Sequence, residues 1–375
     1  MSSTPTSAYP GSSAASLAAL PTILLEELAR ARHGVVVLGI DGLSYPAAVA
    51  GGWESADLTP IVSTFPSTSA TAWLTALTGA EPSRHGVPGM VYRVPGQGVL
   101  VHAVTGRVLA RGPADPGADT RLLVPHPTVF ELARADGAEV TAIPREIGRL
   151  GSVWARALLR GAAVLGVDGS ASLAEDAANP GRLAAAVATG VDQALGATRR
   201  ARPVLLWVYV NLDDHIHRNG YDSAVIGAVR DLGAHAARWS GLGWTVVAHA
   251  DHGQVRCRPD PALAVAWSTV DSRTDCLLPA GGAGRVRWLY PRADRVDRVR
   301  DRLAAALGDA GTVYHADGPG PLPSSIVDGV RAGRVGAVVA VAAGPRFPLP
   351  DPDLRWEHGA AHPDEILPPL AIWRS

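Results

Sequence analysis

The sequence predicts an α/β protein built on a mostly parallel, doubly wound sheet, and two observations support that prediction. Short runs of consecutive apolar, β-branched residues, such as 35–40 and 203–210, are typical of parallel strands covered on both faces. Longer segments with apolar residues at helical spacing, such as 182–199 and 222–239, alternate with them along the chain. This alternation of strand and helix favours a parallel sheet with helices on its two faces.

The individual elements follow from the same two patterns and from the residues at their ends. Hydroxyl residues and Pro at helix starts, and Gly at helix ends, mark where helices begin and stop. We expect strands at 35–40, 139–143, 203–210 and 244–248, a strand or loop at 61–65, and helices at 22–32, 70–78, 128–135, 182–199 and 222–239. The Ser-, Ala- and Pro-rich residues 1–15 are expected to form a disordered tail.

The pattern of predicted strands and helices changes after the strand at 244–248. Residues 257–345 contain short candidate strands around a helix at 293–307, which predicts a small α+β insert. We therefore expect one core, formed by residues 16–256 and 346–375, that the insert interrupts. Residues 88–125 carry many Gly and Pro and are expected to form hairpins or loops over the sheet.

Composition excludes several classes of protein. The chain has 375 residues, of which 47% are hydrophobic and 18% charged, so it can bury a large core and is not a disordered chain. A net charge of −1 does not fit a strongly basic nucleic-acid-binding surface. All 34 basic residues are arginine, which excludes lysine Schiff-base chemistry and the lysine-dependent phosphate loop.

Cysteine use and hydropathy bear on location. The two cysteines, Cys257 and Cys276, form neither a disulfide framework nor a thiolate zinc site. The first residues lack a basic start followed by an apolar segment, and no uninterrupted apolar run reaches the roughly 20 residues of a membrane span. We therefore expect a cytoplasmic protein.

Polar residues suited to chemistry lie at the ends of the predicted strands. Three acids, three imidazoles and one hydroxyl come from distant parts of the chain, and most of them follow a strand. Carboxylate oxygen and imidazole nitrogen are ligands that zinc accepts, and two such cations about 4 Å apart assist phosphoryl transfer. These candidate ligands are Asp41, Ser69, Asp213, His217, Asp251, His252 and His358.

Ser69 is the candidate nucleophile within this set. A serine hydroxyl needs a bound cation or a helix N-terminus to lower its pKa near neutral pH. Ser69 opens the predicted helix 70–78 and, with Asp41, Asp251 and His252 nearby, could have both. Taken alone, Ser69 is better explained as a helix cap, because serine is common in that position.

Neighbouring residues compete with Asp213, His217 and His358 as candidate metal ligands. Residues 211–217 are expected to form the loop after the strand at 203–210. Within it, His217 lies four residues after Asp213, so one helical turn would place both side chains on the same face. Asp214 and His215 compete with them at other spacings. His362 likewise competes with His358.

Taken together, these motifs resemble the alkaline phosphatase superfamily, and in particular its type I phosphodiesterase/nucleotide pyrophosphatase family. The similar stretches occur in the family's order across residues 35–373. They are Val-Leu-Gly-Ile-Asp-Gly at 37–42, Ser-Ala-Thr-Ala-Trp-Leu-Thr-Ala-Leu-Thr-Gly at 69–79, Pro-Ser-Arg-His-Gly at 82–86, Asp213-x-x-x-His217, Asp251-His-Gly and His358-Gly.

The resemblance implies a three-layer α/β/α sandwich, two zinc ions and a small cap, which would be the insert 257–345. It assigns one metal to Asp213, His217 and His358. It assigns the other metal to Asp41, Ser69, Asp251 and His252.

The resemblance also implies which hydroxyl attacks phosphorus. The family's nucleophile lies nine residues before the threonine of a Thr-Gly pair, and counting back from Thr78 gives Ser69. Thr64 is a rival, because some relatives carry the nucleophile in a Thr-Phe-Pro string.

One position departs from the family. Nucleotide pyrophosphatases carry an asparagine eleven residues after the glycine of Thr-Gly, where it helps to hold the phosphate, and this chain has Met90 there. A methionine donates no hydrogen bond. We therefore expect the phosphate contact to come from backbone NH groups at the Ser69 helix or from an arginine.

These observations and the resemblance together predict a metal-dependent hydrolase of phosphate esters. We expect a phosphodiesterase or nucleotide pyrophosphatase-like enzyme that acts through metal-ligated Ser69 and a covalent phosphoenzyme. A phosphomonoesterase or phosphonate hydrolase of the same superfamily is one alternative, and a catalytically inactive binding module on this fold is another.

The expected cofactors are two divalent ions. We expect Zn²⁺, although Mn²⁺ or Fe would accept the same oxygen and nitrogen ligands. The expected partner is a small-molecule phosphate ester and not a nucleic-acid polymer or a membrane. The sequence leaves open which ester it is and the oligomeric state of the chain.

Overall fold

The structure is a computed structural model that describes residues 14–166, 170–198, 201–315 and 322–374. The strands, in chain order, are β1 Gly34–Asp41, β2 Asp57–Pro60, β3 Val91–Val94, β4 Val99–His102, β5 Val108–Arg111, β6 Glu139–Ile143, β7 Ala163–Val164, β8 Val204–Asn211, β9 Thr245–Ala250, β10 Val255–Arg256, β11 Cys276–Ala283, β12 Val286–Pro291, β13 Gly311–His315, β14 Val338–Ala342, β15 Trp356–Glu357 and β16 Pro369–Trp373.

The helices connect these strands and cover them. They are α1 Leu20–Arg30, α2 Tyr45–Ala50, α3 Ser69–Thr78, α4 Pro82–His85, α5 Val129–Ala135, α6 Val153–Leu158, α7 Ser170–Ala178, α8 Pro180–Ala197, α9 Asp213–Asn219, α10 Ser223–Gly241, α11 Pro261–Val270, α12 Val296–Leu307, α13 Ser324–Arg331 and α14 Pro363–Ile366.

A seven-stranded sheet forms the centre of the molecule, in the order β2-β16-β9-β1-β8-β6-β7. The strands from β9 to β7 are parallel to one another, and β16 runs antiparallel to β9 at one side. Every residue of β1 is buried, because helices cover both faces of the sheet. This mostly parallel sheet confirms the predicted α/β fold.

The two faces of the central sheet belong to two apolar cores. Val36, Leu38 and Ile40 of β1 pack into the core that includes α8 and α10. Val35 and Val37 point the other way, into the core that includes α1, α3 and α5. Alternate side chains of β1 therefore pack against helices on opposite faces of the sheet. This arrangement gives the three layers of the predicted α/β/α sandwich.

A second seven-stranded sheet is antiparallel and has the order β13-β14-β12-β11-β3-β4-β5. Strands β3 to β5 are the hairpins that the sequence predicts within 88–125, and they join the sheet where Val91 pairs with Gly282. The sheet is therefore larger than the expected insert 257–345. The division of the chain into a core and that insert stays a prediction.

Residues 61–65, expected to be a strand or a loop, form no strand, and the strand nearby is β2. Other boundaries differ from the sequence predictions. The segment after β8, expected as a loop, begins helix α9 at Asp213. Residues 1–13 of the expected tail lie outside the described residues, whereas the carbonyl of Ala15 already accepts a hydrogen bond from the amide of Val62.

Two further expectations concern cysteines and membranes. Cys257 and Cys276 are buried free thiols, as expected. Within the described part of the chain, none of the helices has the length and apolar character needed to cross a bilayer.

Candidate metal centre

The carboxyl ends of three neighbouring parallel strands bring three aspartates to one edge of the central sheet. Asp41 ends β1 and is in register with Asn211 at the end of β8, just before Asp213. Ala250 ends β9, beside β1, and Asp251 follows it. Ligands of open α/β sheets bind at this edge.

A glycine allows two of these strand ends to approach each other. Gly42 has φ of +80°, and a Cβ there would lie 2.7 Å from an oxygen of Asp213. The amide of Gly42 also donates a hydrogen bond of 3.2 Å to Oδ1 of Asp251. A side chain at this position would strain the backbone and push Asp213 away from the other aspartates.

Helix α3 brings Ser69 to the same edge. Thr68 is the N-cap of α3, and Ser69 is its first helical residue. The hydroxyl of Ser69 lies 3.2 Å from Oδ1 of Asp41 and 3.1 Å from Nε2 of His252. Ser69 is therefore not the cap of this helix, and its side chain belongs to the polar cluster.

His358 reaches the cluster from the far end of the chain. It follows β15, which pairs with β10 just after the loop that carries His252. Gly359 forms a bridge with Ser67, close to the start of α3. These contacts bring the imidazole rings of His252 and His358 to a centroid distance of 3.7 Å.

Within the described residues, two triplets of side chains have ligand atoms that lie within 4.8 Å of one another. The first is Asp213, His217 and His358, and the second is Asp41, Asp213 and His252. Asp213 thus belongs to both triplets. Asp251 lies beside the second triplet, with Oδ2 3.2 Å from Nε2 of His252.

The three histidines are oriented in the same way. Nδ1 of His358 lies 2.7 Å from the carbonyl of Ser67, and Nδ1 of His217 lies 2.8 Å from the carbonyl of Trp356. Nδ1 of His252 lies 3.2 Å from the carbonyl of Gly253. A backbone partner on Nδ1 leaves Nε2 as the nitrogen that faces the aspartates, which is how metal-binding histidines are commonly held.

Burial and crowding shift the ionisation of the aspartates. Burial, reinforced by the charge of Asp213, raises the pKa of Asp41 to about 7. Burial also raises the pKa of Asp251 well above its usual value, and the charges of Asp41 and Asp213 add to this. A divalent cation held among these carboxylates would remove their repulsion and compensate for their burial.

The pKa values of the three histidines shift in two different directions. Burial lowers the pKa of both His252 and His358 to about 4, so both rings are neutral and able to bind a metal at neutral pH. Burial also acts to lower the pKa of His217, but the carboxylate of Asp213, 3.0 Å away, outweighs it and raises that pKa to about 10. A cation bound by both side chains would replace this ion pair.

The donor set fits divalent cations. Oδ2 of Asp251 is buried and accepts no hydrogen bond, although buried polar atoms are nearly always paired. Three carboxylates and three imidazoles presented through Nε2 are the ligand types of zinc sites. Partial exposure of Ser69, Asp213 and His217 leaves one side of the cluster open to solvent.

Comparison with known sequences identifies the family. The sequence model of the type I phosphodiesterase/nucleotide pyrophosphatase family matches residues 53–349. The chain belongs to this family. It is a phosphoric ester hydrolase, which confirms the predicted enzyme class. No curated protein sequence matches the chain closely enough to count as a relative.

Solved structures share the fold of this phosphodiesterase-family chain. Murine ectonucleotide pyrophosphatase/phosphodiesterase 5 is 15% identical, with a TM-score of 0.59, over 90% of this chain and 87% of the other. Phosphonoacetate hydrolase from Sinorhizobium meliloti 1021, solved with phosphonoformate, is 16% identical, with a TM-score of 0.60, over 92% of this chain and 90% of the other. An inactive variant of the murine protein was solved in complex with AMP.

The rival residues lie outside the cluster. Thr64 is buried, and its hydroxyl donates to the carbonyl of Pro66. Asp214 accepts a hydrogen bond from Asn211. The other two rivals contact helix starts instead: His215 lies 3.1 Å from Asp222, and His362 caps α14.

Met90 lies immediately before β3, the strand that begins the first hairpin of the second sheet. Its side chain is partly buried and packs against the apolar core that contains α3, and its carbonyl accepts a hydrogen bond from Ala103. A thioether in that environment offers packing and no hydrogen bond to an anion.

Sequence reasoning missed three residues that donate hydrogen bonds to the aspartates of the cluster. The hydroxyl of Tyr209 and the indole NH of Trp73 both donate to Oδ2 of Asp41. The side-chain amide of Gln254 donates to Oδ1 of Asp213. Spacing offered one signal, because Trp73 lies one helical turn after Ser69 and therefore shares its face of α3.

Proposed function

We propose that the chain is a two-cation phosphodiesterase in which Ser69 is the nucleophile. The observation that supports this best is the position of the Ser69 hydroxyl, 3.2 Å from Asp41 and 3.1 Å from His252, at the open side of a buried carboxylate–imidazole cluster. No other hydroxyl among the rivals that the sequence offers lies in that cluster, since Thr64 is turned to Pro66.

The proposed metal ligands follow the two triplets. Asp213, His217 and His358 would hold one cation. Asp41, Asp251, His252 and the Ser69 hydroxyl would hold the other, and the membership of Asp213 in both triplets supports two ions that lie close together. Mixed nitrogen and oxygen ligands favour Zn²⁺ as the ion, with Mn²⁺ or Fe as the alternatives.

Bound divalent cations would lower the pKa of the Ser69 hydroxyl and neutralise the phosphoryl oxygens. Oγ of Ser69 then attacks phosphorus in line with the leaving oxygen, so that an O–P bond forms while the ester O–P bond breaks. The Ser69 hydroxyl gives up its proton to solvent, and the leaving alkoxide takes one up from solvent. A water molecule then attacks the phosphorus of phosphoserine 69 from the side that the leaving alkoxide occupied. A new O–P bond forms while the Oγ–P bond breaks, one proton of the water passes to Oγ, and the phosphate monoester is released.

Charge supports a diester as the preferred substrate. The hydrogen bonds and ion pairs of the seven candidate ligands within the described residues include no arginine side chain. A phosphomonoester carries a second negative charge that such a guanidinium would stabilise. A phosphodiester with its single charge therefore fits this cluster better.

The second sheet would shape access to the phosphate. The turn between β11 and β12 touches the loop of His358, because the amide of Arg285 donates to the His358 carbonyl. We propose that the insert 257–345, together with β3 to β5, acts as the cap over the core formed by 16–256 and 346–375. This position favours a small phosphate ester as the substrate, as expected from the sequence.

Substitution of Ser69 tests the nucleophile. Ser69→Ala should lose turnover of bis-p-nitrophenyl phosphate and still bind two zinc ions per chain by elemental analysis, because the aspartates and histidines remain. Ser69→Thr keeps the alcohol and should retain turnover. Thr64→Val is the matched control, since it removes a buried hydroxyl that contacts only Pro66. Turnover that survives in Ser69→Ala and disappears in Thr64→Val would move the nucleophile to Thr64.

A substrate panel tests the diester preference. The wild-type protein should hydrolyse bis-p-nitrophenyl phosphate faster than p-nitrophenyl phosphate or phosphonoacetate. The phosphonate belongs in the panel because phosphonoacetate hydrolase shares the fold. Faster hydrolysis of the monoester or of the phosphonate would make the chain a phosphomonoesterase or a phosphonate hydrolase instead.

A further inference from the structure

The two oxygens of Asp41 have different surroundings. Oδ2 accepts a hydrogen bond of 2.5 Å from the hydroxyl of Tyr209 and one of 3.1 Å from the indole NH of Trp73. Oδ1 lies 3.2 Å from the hydroxyl of Ser69 and 3.6 Å from Nε2 of His252. One oxygen is therefore turned into the protein, and the other faces the proposed metal site.

Helix α3 contacts both oxygens. Ser69 and Trp73 are four residues apart on this helix, so their side chains lie on one face. The serine approaches Oδ1, and the indole approaches Oδ2. The helix that carries the proposed nucleophile is thus fixed to the carboxylate at two points, while Tyr209 adds a third contact from β8.

The two donors are held firmly by aromatic packing. The ring of Trp73 lies 5.6 Å from that of Tyr209 and 6.0 Å from that of Trp207, in edge-to-face arrangements. Gly39 on β1 leaves space for these aromatic rings, because a Cβ there would lie 2.9 Å from Trp73 and 3.0 Å from Trp207. Neither donor can swing away from Oδ2 without disturbing the core beneath the sheet.

We propose that Tyr209 and Trp73 are positioning residues that restrict Asp41 to metal coordination through Oδ1 alone. An aspartate whose second oxygen is free can turn and bind a cation through both oxygens, which occupies one more coordination position. Two donors on Oδ2 oppose that rotation. They leave the position beside Oδ1 for the Ser69 oxygen.

This inference rests on the proposed metal site and predicts how its geometry responds to two small changes. Tyr209→Phe removes only the hydroxyl, and Trp73→Phe removes the indole NH while keeping an aromatic ring. Partners of metal ligands typically contribute about 10–100-fold to metal affinity or activity. We expect kcat for bis-p-nitrophenyl phosphate to fall by about 10–100-fold in each variant, with little change in KM.

The spectrum of the Co²⁺-substituted protein gives a readout that a purely structural role would not change. Visible absorption of Co²⁺ weakens as its coordination number rises. We therefore expect weaker absorption in Tyr209→Phe and Trp73→Phe than in the wild type. Competition with a chelator would report the zinc affinity of the same proteins.

Two buried aromatic residues away from the cluster provide matched controls. Tyr92 donates its hydroxyl to the carbonyl of Leu122, and Trp53 donates its indole NH to the carbonyl of Val229. Tyr92→Phe and Trp53→Phe remove the same groups from comparable environments. They should leave the Co²⁺ spectrum and kcat unchanged, even where they lower the melting temperature.

The possible results are distinguishable. Wild-type absorption in both folded test variants, with unchanged kcat, would overturn the positioning role and leave the proposed function intact. Tyr209→Phe decides the question alone if Trp73→Phe does not fold. A wild-type protein that binds no Co²⁺ would overturn the metal centre and the positioning role together.

Discussion

Thr68 and Ser69 illustrate how neighbouring hydroxyl residues take different roles at one helix start. Thr68 occupies the N-cap of α3, yet its hydroxyl makes no capping hydrogen bond and has no partner. Ser69 lies one residue later and contacts Asp41 and His252. A sequence that reads Thr-Ser before an apolar helix does not reveal which hydroxyl faces inward, because a shift of one residue turns the side chain by about 100°.

His85 allows a prediction about pH that is independent of the metal centre. It is buried, accepts a hydrogen bond from the amide of Val87 through Nδ1 and lies 3.3 Å from the hydroxyl of Thr75. Burial, with smaller contributions from His126 and Arg334, lowers the pKa of His85 to about 3 from 6.5. The neutral ring therefore stabilises the fold above the unfolded pKa, and this stabilisation is lost as pH falls.

His85 is expected to contribute up to about 1.4 kcal/mol of unfolding free energy per pH unit below pH 6.5. His85→Gln should remove this contribution and so lower the slope in urea titrations between about pH 6.5 and about pH 5, because glutamine does not titrate, whereas His249, His252 and His358 still do. Equal slopes in wild type and His85→Gln would contradict the prediction.

The residues that the sequence predicted and those that it missed differ in a physical way. Asp41, Asp213 and Asp251 stand out because acids after buried apolar strands are unusual. Tyr209 and Trp73 do not stand out, because aromatic residues in a buried strand or helix usually serve only as core. Their polar atoms matter here through one partner, Oδ2 of Asp41, whose direction depends on tertiary packing.

At the scale of elements, helix α9 explains why one sequence expectation was right and another was wrong. The spacing of Asp213 and His217 predicted one helical turn, and the structure has that helix. The segment as a whole was expected to be a loop. Seven residues bounded by Gly220 are too short to give a clear apolar period, so only the pair of side chains indicated the helix.

The start of α10 provides a prediction about helix capping. Asp222 is the N-cap, and its Oδ1 accepts hydrogen bonds of 3.0 Å from the amides of Ala224 and Val225. Asp222→Ala should reduce the unfolding free energy by about 1 kcal/mol in urea denaturation. Asp222→Asn keeps the acceptor and should stay close to wild type. Equal losses in both variants would instead assign the effect to the contact between Asp222 and His215.

At the scale of the whole molecule, a buried ion pair connects the second sheet to helix α14, which precedes β16 of the central sheet. Arg285, in the turn between β11 and β12, donates through Nε to Oε1 of Glu365 at 2.9 Å, and both side chains are almost fully buried. The other oxygen of Glu365 accepts a hydrogen bond from the amide of Ala360, two residues after His358. The pair therefore stabilises the loop that carries a proposed ligand.

Removal of one partner should be costly. Burial raises the pKa of Glu365 to about 7 although Arg285 acts to lower it, so the pair is best measured near pH 8, where the carboxylate is ionised. Arg285→Met should reduce the unfolding free energy by about 3–5 kcal/mol, because it leaves a buried charge without a partner. The double variant Arg285→Met/Glu365→Gln should recover much of that loss.

An ion pair with both partners exposed is the control. Arg238 pairs with Asp192 at 2.7 Å, and the two side chains are 45% and 46% exposed. Arg238→Met should cost about 1 kcal/mol or less. Losses of equal size in Arg285→Met and Arg238→Met, or no recovery in the double variant, would contradict the predicted cost of leaving Glu365 buried without its partner.

The sequence predicted the central sheet well and the second sheet only in pieces. Apolar runs such as 35–40 and 203–210 indicate buried parallel strands by themselves. The pairing of Val91 with Gly282 joins segments about 190 residues apart in the sequence. Neither segment carries a sequence pattern that indicates the other as its pairing partner. Long-range antiparallel pairing of this kind is decided by packing, which no local pattern encodes.

The late position of His358 has a consequence for synthesis of the protein. Its ring completes a cluster whose first member is Asp41, and β16, beside β9, follows it in the chain. A nascent polypeptide on the ribosome emerges at about 5–20 residues per second. The synthesis of His358 therefore follows that of Asp41 by roughly tens of seconds. A chain that ends before residue 358 lacks one of the proposed metal ligands and should therefore not hydrolyse phosphate esters.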